Sequence, residues 1–349
     1  MSDPFHGSIV RNFGVVPDIY GKLILSERRP KPKPAFFLHY VKSPDRSNTK
    51  GAALMFVHSR QMKFIVMLIA GWLLISLPGL SQNQAFEAHE IERLVDVLGE
   101  DPQWSSDQLR RFFKMAELHK VGETVKLNLT EPLELSERKY GHFTEAYAMR
   151  LAKRFAQRWR TTLRRAAVRY NVDPEAIVAI LLVETSFGRF TGSHHLLSIF
   201  ASTYLEAIEI LETNRLAEAK PELRERIERK RDWALGELRS ILKIHRKYPR
   251  LGIFRIKGSY AGAFGKSQFL PSSYLNFAVR ARSQGTPNLF WEPDAIHSVA
   301  NYLNKHGYEQ GLNKSVNRDA IHAYNRSDVY VNTVLGVAHK LVPVFDEQS

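Results

Sequence analysis

Glu184 is the residue whose surroundings most demand a chemical explanation. It follows eight apolar residues, Ala176 to Val183, and stands one turn before Gly188. A carboxylate on so apolar a helix is costly if it is buried, ionised and unpaired, so burial raises its pKa. A carboxylic acid still protonated near neutral pH is what acid catalysis of glycoside cleavage requires. Two blander readings fit the same pattern: Glu184 points into solvent at the helix end, or it pairs with Arg189. Glu206, Glu209 and Glu212 sit on a more mixed helix and read as solvated or supporting positions, so no two-carboxylate scheme is assigned.

The second focus is the stretch from Gly258 to Tyr274, in which glycine recurs at 258, 262 and 265. Glycine and alanine allow close backbone approach to a ligand, and Ser259 and Gln268 are able to orient polar groups. Tyr260, Phe269 and Tyr274 are candidates for lining a sugar groove, although a tightly packed turn and helix start has the same composition. Tyr302, Tyr324, Asn325 and Tyr330 add polar aromatic character, each of them readable as structural when taken alone.

Helices must position these groups. Apolar spacing predicts short helices over Ala88 to Leu98 and Trp104 to Lys120, the latter closed by Gly122, with an irregular connection from Glu123 to Ser136. Residues 137–170 form a long helical candidate with one break at Gly141-His142. Its Arg150 to Arg169 part carries eight basic residues and no acid, beside an apolar face of Leu151, Phe155, Trp159, Leu163 and Ala166. Asp173-Pro174 opens the next helix, with Asp173 available as a cap and proline at the first helical position, and Gly188 stops it after about Phe187. Further helices follow at 196–211, through the charged stretch to His245, and at 272–282, 293–306 and 327–342. The expectation is a mainly α protein.

The chain has 349 residues, no cysteine and a formal net charge of +14. Zero cysteine excludes a disulfide scaffold, a thiolate nucleophile and a cysteine-held metal or cluster. No nucleotide-binding glycine fingerprint, phosphate loop or repeat period occurs. The positive charge favours anionic partners, and charge alone does not choose among nucleic acid, anionic lipid and anionic wall. Phe64 to Leu80 is apolar except for Ser76 and follows Met62-Lys63, so 62–81 reads as a signal peptide or signal anchor, with cleavage best placed after Ser81. Residues 1–61 are a basic, poorly structured extension, with ten Lys or Arg against four acids. A natural start at Met62 would leave them outside the product. Export makes nucleic acid an unexpected partner.

Taken together, Val183-Glu-Thr-Ser-Phe-Gly188, Gly258-Ser-Tyr-Ala-Gly-Ala-Phe-Gly-Lys-Ser-Gln-Phe-Leu-Pro-Ser-Ser-Tyr274, Asp294-Ala-Ile-His-Ser-Val-Ala-Asn-Tyr-Leu303 and Ala323-Tyr-Asn-Arg-Ser327 resemble the B-type lytic murein transglycosylases. The resemblance covers about 165–342. It implies a lysozyme-like helical catalytic domain with additional helical segments, acting on peptidoglycan glycan strands in the periplasm of a Gram-negative bacterium. It implies that Glu184 is catalytic and that Ser259, Gln268, Tyr302, Tyr324, Asn325 and Tyr330 bind or orient substrate. Anionic membrane or wall and other cell-wall enzymes are the further partners it brings in.

Three departures from the family stand out. Ala281-Arg-Ser-Gln-Gly-Thr-Pro-Asn-Leu-Phe290 replaces an acidic, calcium-loop-like segment and holds no carboxylate, so no metal and no cofactor are expected. Lys266 and Ser267 replace residues that are usually small or aromatic. The charged stretch 212–232 is longer than its family counterpart and suggests an extended helix pair or a partner surface. A hydrolase and a wall-binding protein without catalysis are the alternatives.

Overall fold

The computed structural model describes residues 84–116, 118–122, 125, 129, 140–213, 221–282 and 285–346. The basic extension, the 62–81 segment and nearly all of the 123–136 connection lie outside the described residues.

The described part is predominantly helical. Helix α1 spans Ala88–Gly99 and α2 spans Ser106–Met115. The start of α2 is set by a reciprocal capping box: Gln108 N donates to Ser105 Oγ (3.2 Å) and Ser105 N to Gln108 Oε1 (2.9 Å). The expected long helix from 137 is divided. A 3-10 turn at Gly141–Thr144 precedes α3 (Ala146–Arg158), and α4 (Arg160–Tyr170) follows a break at Trp159.

The central element is α5, Pro174–Thr185, opened by proline at its first turn. Asp173 does not cap it with its side chain. Its carboxylate instead accepts from Tyr308 Oη (2.9 Å) and Gly311 N (2.9 Å), tying the helix start to a distant loop. Ser186, Phe187 and Gly188 all have positive φ, so the chain leaves the helix right after Thr185, two residues earlier than the apolar pattern suggested.

A two-residue strand β1 (His194–His195) leads into α6 (Leu196–Thr213), and α7 (Pro221–Lys247) packs along α6. Residues 221–232 of the charged stretch thus belong to one helix of a packed pair, and Ile227 on it is fully buried. Strand β2 (Lys257–Gly258) pairs antiparallel with β1, in the register His194 to Gly258. Helix α8 is short, Pro271–Phe277, because Ala278 is already extended and the next amide, Val279 N, donates to Ser298 Oγ. Helices α9 (Glu292–Lys305), α10 (Ser315–Tyr324) and α11 (Asp328–Asp346) complete the chain.

Two large apolar clusters, with a smaller one of Val125, Leu129, Ala207 and Ile227, form the interior of the described part. One surrounds α5 with residues of α3, α4, α9, α10 and α11. The other gathers α1, α2, α6, α7 and the glycine-rich segment. Tyr324 packs against both, and α9 contributes Val299 to the first and Tyr302 to the second.

Candidate active site

Helix α5 is buried almost all round, so its last turn carries Glu184 into the interior instead of into water. Glu184 is 6% exposed. Tyr330 Oη, from α11, donates to Glu184 Oε1 at 2.6 Å. Burial pushes the Glu184 carboxyl up to about 8, against the opposing pull of the Tyr330 hydrogen bond. At neutral pH the group holds its proton. The solvent-facing and Arg189-paired readings both fail, and the Arg189 guanidinium donates to Tyr147 Oη.

Aromatic rings wall the carboxyl. Tyr324 lies parallel to Tyr330 with centroids 6.5 Å apart, and Tyr302 meets Tyr324 edge-on at 4.6 Å. Burial, followed by the Glu184 charge, raises the Tyr324 and Tyr330 phenols well above their ordinary value. Tyr324 Oη donates to Ser267 O, which fastens α10 to the glycine-rich segment (2.5 Å). Tyr302 Oη donates to Ala323 O (2.8 Å), so its hydroxyl is committed to holding the adjoining turn.

Tyr140 is a member that sequence reasoning missed. It stands edge-on to Tyr330, with centroids 6.3 Å apart, and its buried hydroxyl has no hydrogen-bond partner among the described residues. Burial raises its phenol first, and the charges of Glu184 and Tyr260 add to the effect. The only sequence signal was an aromatic residue just before the Gly141 break. No spacing rule links it to a glutamate 44 positions later in the chain.

Ser259 and Gln268 lie on the glycine-rich segment, which the carbonyls of Lys266 and Ser267 tie to Thr185 of α5 and Tyr324 of α10. Ser259 closes a turn, with Ala263 N donating to its Oγ (3.2 Å) and its own N donating to Ala263 O (2.8 Å). Gln268 adopts a left-handed φ of 48°, and its side-chain nitrogen donates to Gly265 O (3.0 Å) and Thr191 O (3.4 Å). A non-glycine residue held there is backbone strain of the kind found beside functional sites. Asn325 is buried just past α10, and its Oδ1 has no partner among the described residues. An acceptor left so is costly unless a ligand meets it.

Several expectations change. Phe269 and Tyr274 are core residues, 2% and 1% exposed, and do not line a groove. The close approaches of the glycine-rich stretch are to protein, not ligand. A Cβ on Gly262 would lie 2.1 Å from the Phe200 ring, and one on Gly265 would lie 2.4 Å from Leu289 Cβ, both at positive φ. Lys266 runs beneath Gly188 and pairs with Glu292 at 2.8 Å. Glu212 is an exposed partner of Arg93.

The 281–290 stretch, where the family resemblance would put calcium, is organised by Asp294. That buried carboxylate accepts from Ala281 N (2.9 Å) and Asn288 N (2.8 Å). The Arg280 guanidinium lies 3.7 Å from it and donates to Thr286 O (3.2 Å). A fixed cation already occupies the loop, and the nearby carboxylate is spent on backbone amides. These residues do not fit an ion that needs six to eight oxygen ligands.

Comparison with known proteins accords with this architecture. The membrane-bound lytic murein transglycosylase B of Escherichia coli K12 is 37% identical over 158 residues, which is 45% of this chain and 38% of that protein. The chain thus spans well under half the length of that relative. Among solved structures, soluble lytic transglycosylase SltB1 of Pseudomonas aeruginosa superposes with a TM-score of 0.59 at 22% identity, covering 72% of this chain and 98% of that one. The Escherichia coli lytic transglycosylase Slt35 in complex with calcium gives 0.59 at 22% identity, covering 77% and 99%. The model of the transglycosylase SLT domain matches residues 89–318, from α1 into α10, which takes in the helix bearing Glu184 and the glycine-rich segment, while Tyr324, Asn325 and Tyr330 lie past its end. By that match, over most of its length, the chain belongs to the SLT transglycosylase family.

Proposed function

We propose that the protein is a peptidoglycan lytic transglycosylase, cleaving the β-1,4 bond from N-acetylmuramic acid to N-acetylglucosamine without water. The observation that carries the reading is a buried glutamic acid, raised to about 8, that keeps one strong donor from Tyr330. The raised pKa supplies an acid at neutral pH. The donor stabilises the carboxylate once the proton has gone. One group is thereby equipped for both halves of an acid-then-base reaction.

In the first half, protonated Glu184 gives its proton to the glycosidic oxygen as the C1–O bond breaks. The acetamido carbonyl oxygen of the muramoyl sugar bonds to C1 as an oxazolinium-like species. In the second half, the Glu184 carboxylate takes the proton of the C6 hydroxyl. The C6 oxygen then bonds to C1, the oxazolinium opens, and a 1,6-anhydromuramoyl end results. Every atom of the substrate is retained in the two products. The apolar body of α5 and the tyrosine rings exclude the water that would otherwise compete.

Ser259, Gln268, Tyr302, Tyr324 and Asn325 are assigned to substrate binding, with the free Asn325 acceptor suited to a substrate N–H. Tyr330 holds the catalytic carboxyl. Export through the 62–81 segment, which lies outside the described residues, would deliver the enzyme to the periplasm, where it is cleaved free or stays anchored.

Digesting purified sacculi with the protein and weighing the products tests the reading. Anhydromuramoyl ends, lighter by one water than hydrolysis products, are expected. Glu184→Gln should still bind glycan and lose nearly all cleavage. Products carrying the added water would make the enzyme a hydrolase, and turnover by Glu184→Gln would reject the mechanism.

A further inference from the structure

Away from Glu184, a cavity of about 610 Å³ opens between the ends of α4 and α7 and the loop before α9. That is within the size range of small-ligand sites. Four cations line it: Arg169 from the last turn of α4, Lys247 from the end of α7, and Arg280 and Arg282 from the segment after α8. Among the described residues, none that lines it is Asp or Glu. Arg280 is engaged with Asp294 and Thr286. Arg169, Lys247 and Arg282 only stack on Tyr170, Tyr248 and Trp291, and make no ion pair among the described residues.

Like charges gathered round one hollow repel, and stacking on an aromatic face offsets little of that at exposed positions. The local field is felt beneath the surface. Buried His297 is depressed to about 4, by burial first and then by Arg169 and Arg165. The cavity is therefore a standing positive potential awaiting an anion.

The loop lining it is tied to the glycine-rich segment. Thr286 and Pro287 line the cavity, while Pro287 O accepts from Tyr274 Oη and Leu289 O accepts from Lys266 N. Two residues of extended chain span at most about 7 Å. Lys266 directly precedes Ser267, the residue whose carbonyl anchors Tyr324 beside Glu184. The loop that lines the cavity is thus hydrogen-bonded to the segment that anchors Tyr324.

We propose that this cavity binds the carboxylates of the short acidic peptide carried by the muramoyl sugar, an assignment that rests on the lytic transglycosylase reading. The cations are spread over separate elements around the hollow, which suits several carboxylates along a peptide better than one compact anion. Tyr248, Val279 and Pro287 provide the apolar surface its aliphatic parts would touch.

The test uses the full chain and a triple variant, Arg169→Ala, Lys247→Ala and Arg282→Ala, none of which touches Glu184 or its tyrosines. KM and kcat are measured on peptide-bearing strands and on strands stripped of peptide by an amidase. The expected result is a KM raised about tenfold on peptide-bearing strands alone, with kcat unchanged on both, as three weak exposed charge contacts would give. An equal change on both substrates, or none, overturns the proposal. So does unchanged cleavage alongside lost binding to phosphatidylglycerol vesicles, which would make this a lipid-headgroup site. If the wild-type chain cleaves neither substrate, the Glu184 reading fails by itself. Calorimetry with free L-alanyl-γ-D-glutamyl-diaminopimelate still reads the cavity, because the variant should bind that tripeptide about tenfold more weakly and equal affinity would refute the site.

Discussion

Replacing Tyr330 by phenylalanine removes one atom and tests the catalytic argument directly. The Tyr330 hydroxyl donates to Glu184 at 2.6 Å, within the charge-assisted range for O–H···O⁻ contacts. A hydrogen bond to a charged group is worth about 1.5–3 kcal/mol. It favours the ionised carboxyl, so its loss makes Glu184 hold its proton more tightly. At 1.36 kcal/mol per pH unit, the alkaline limb of kcat should move up from about 8 by roughly one to two units. The same loss falls on the step that leaves Glu184 ionised, so kcat at neutral pH should drop about 10- to 100-fold. Tyr330 itself titrates well above the ordinary phenol range, so the limb is not its own. Glu175 and Glu237, raised by burial to about 7 and about 6, are untouched by the change. A pH series of initial rates on sacculi, with Tm as the folding control, reads both effects. A limb that stays in place, or moves to lower pH, refutes the assignment.

Other outcomes follow from the same geometry. Glu184 is raised in the folded protein, so its contribution to stability is full below the unfolded carboxyl range and is lost as pH rises towards 8. The Tm of Glu184→Gln should therefore gain on that of the wild type between pH 5 and pH 8 in thermal melts, and a gap that shrinks with pH would contradict the sign. Chelator or added calcium should leave Tm unchanged, whereas Arg280→Ala should lower it by a few degrees, because the Asp294 loop loses its internal cation. Calcium rescue of the Arg280→Ala melt would show instead that the loop can take an ion. Gly265→Ala must fit a Cβ 2.4 Å from Leu289 at positive φ and should cost more than about 1 kcal/mol in chemical denaturation. A neutral result would mean that the Lys266–Leu289 wall yields easily.

Much of the helical frame was legible from residue type. The apolar run 176–183 can only be a buried helix once proline opens it, and burial of that helix is what makes Glu184 unusual. Helix α1 and the α6–α7 pair likewise follow from periodicity. Helix α10 was missed: Val316 at its start is exposed, and the face it buries mixes polar Asn317 with Ala320 and Ile321. The end of α8 was placed too late, because it depends on a serine from another helix.

The functional residues divide along the same line. Residue pattern singled out Glu184 and the Ser259–Gln268 segment, since an acid in an apolar run and clustered small residues are visible in one dimension, and only the family resemblance added the terminal tyrosines. Only the tertiary structure decided that Tyr330 reaches the carboxyl, that Tyr140 joins it, that Phe269 and Tyr274 are core, and that Arg280 stands beside Asp294. Each of those depends on side chains brought together across long stretches of chain. Burial and pairing are properties of the packed interior, where low polarity raises a carboxyl and a single hydroxyl decides how readily it gives up its proton.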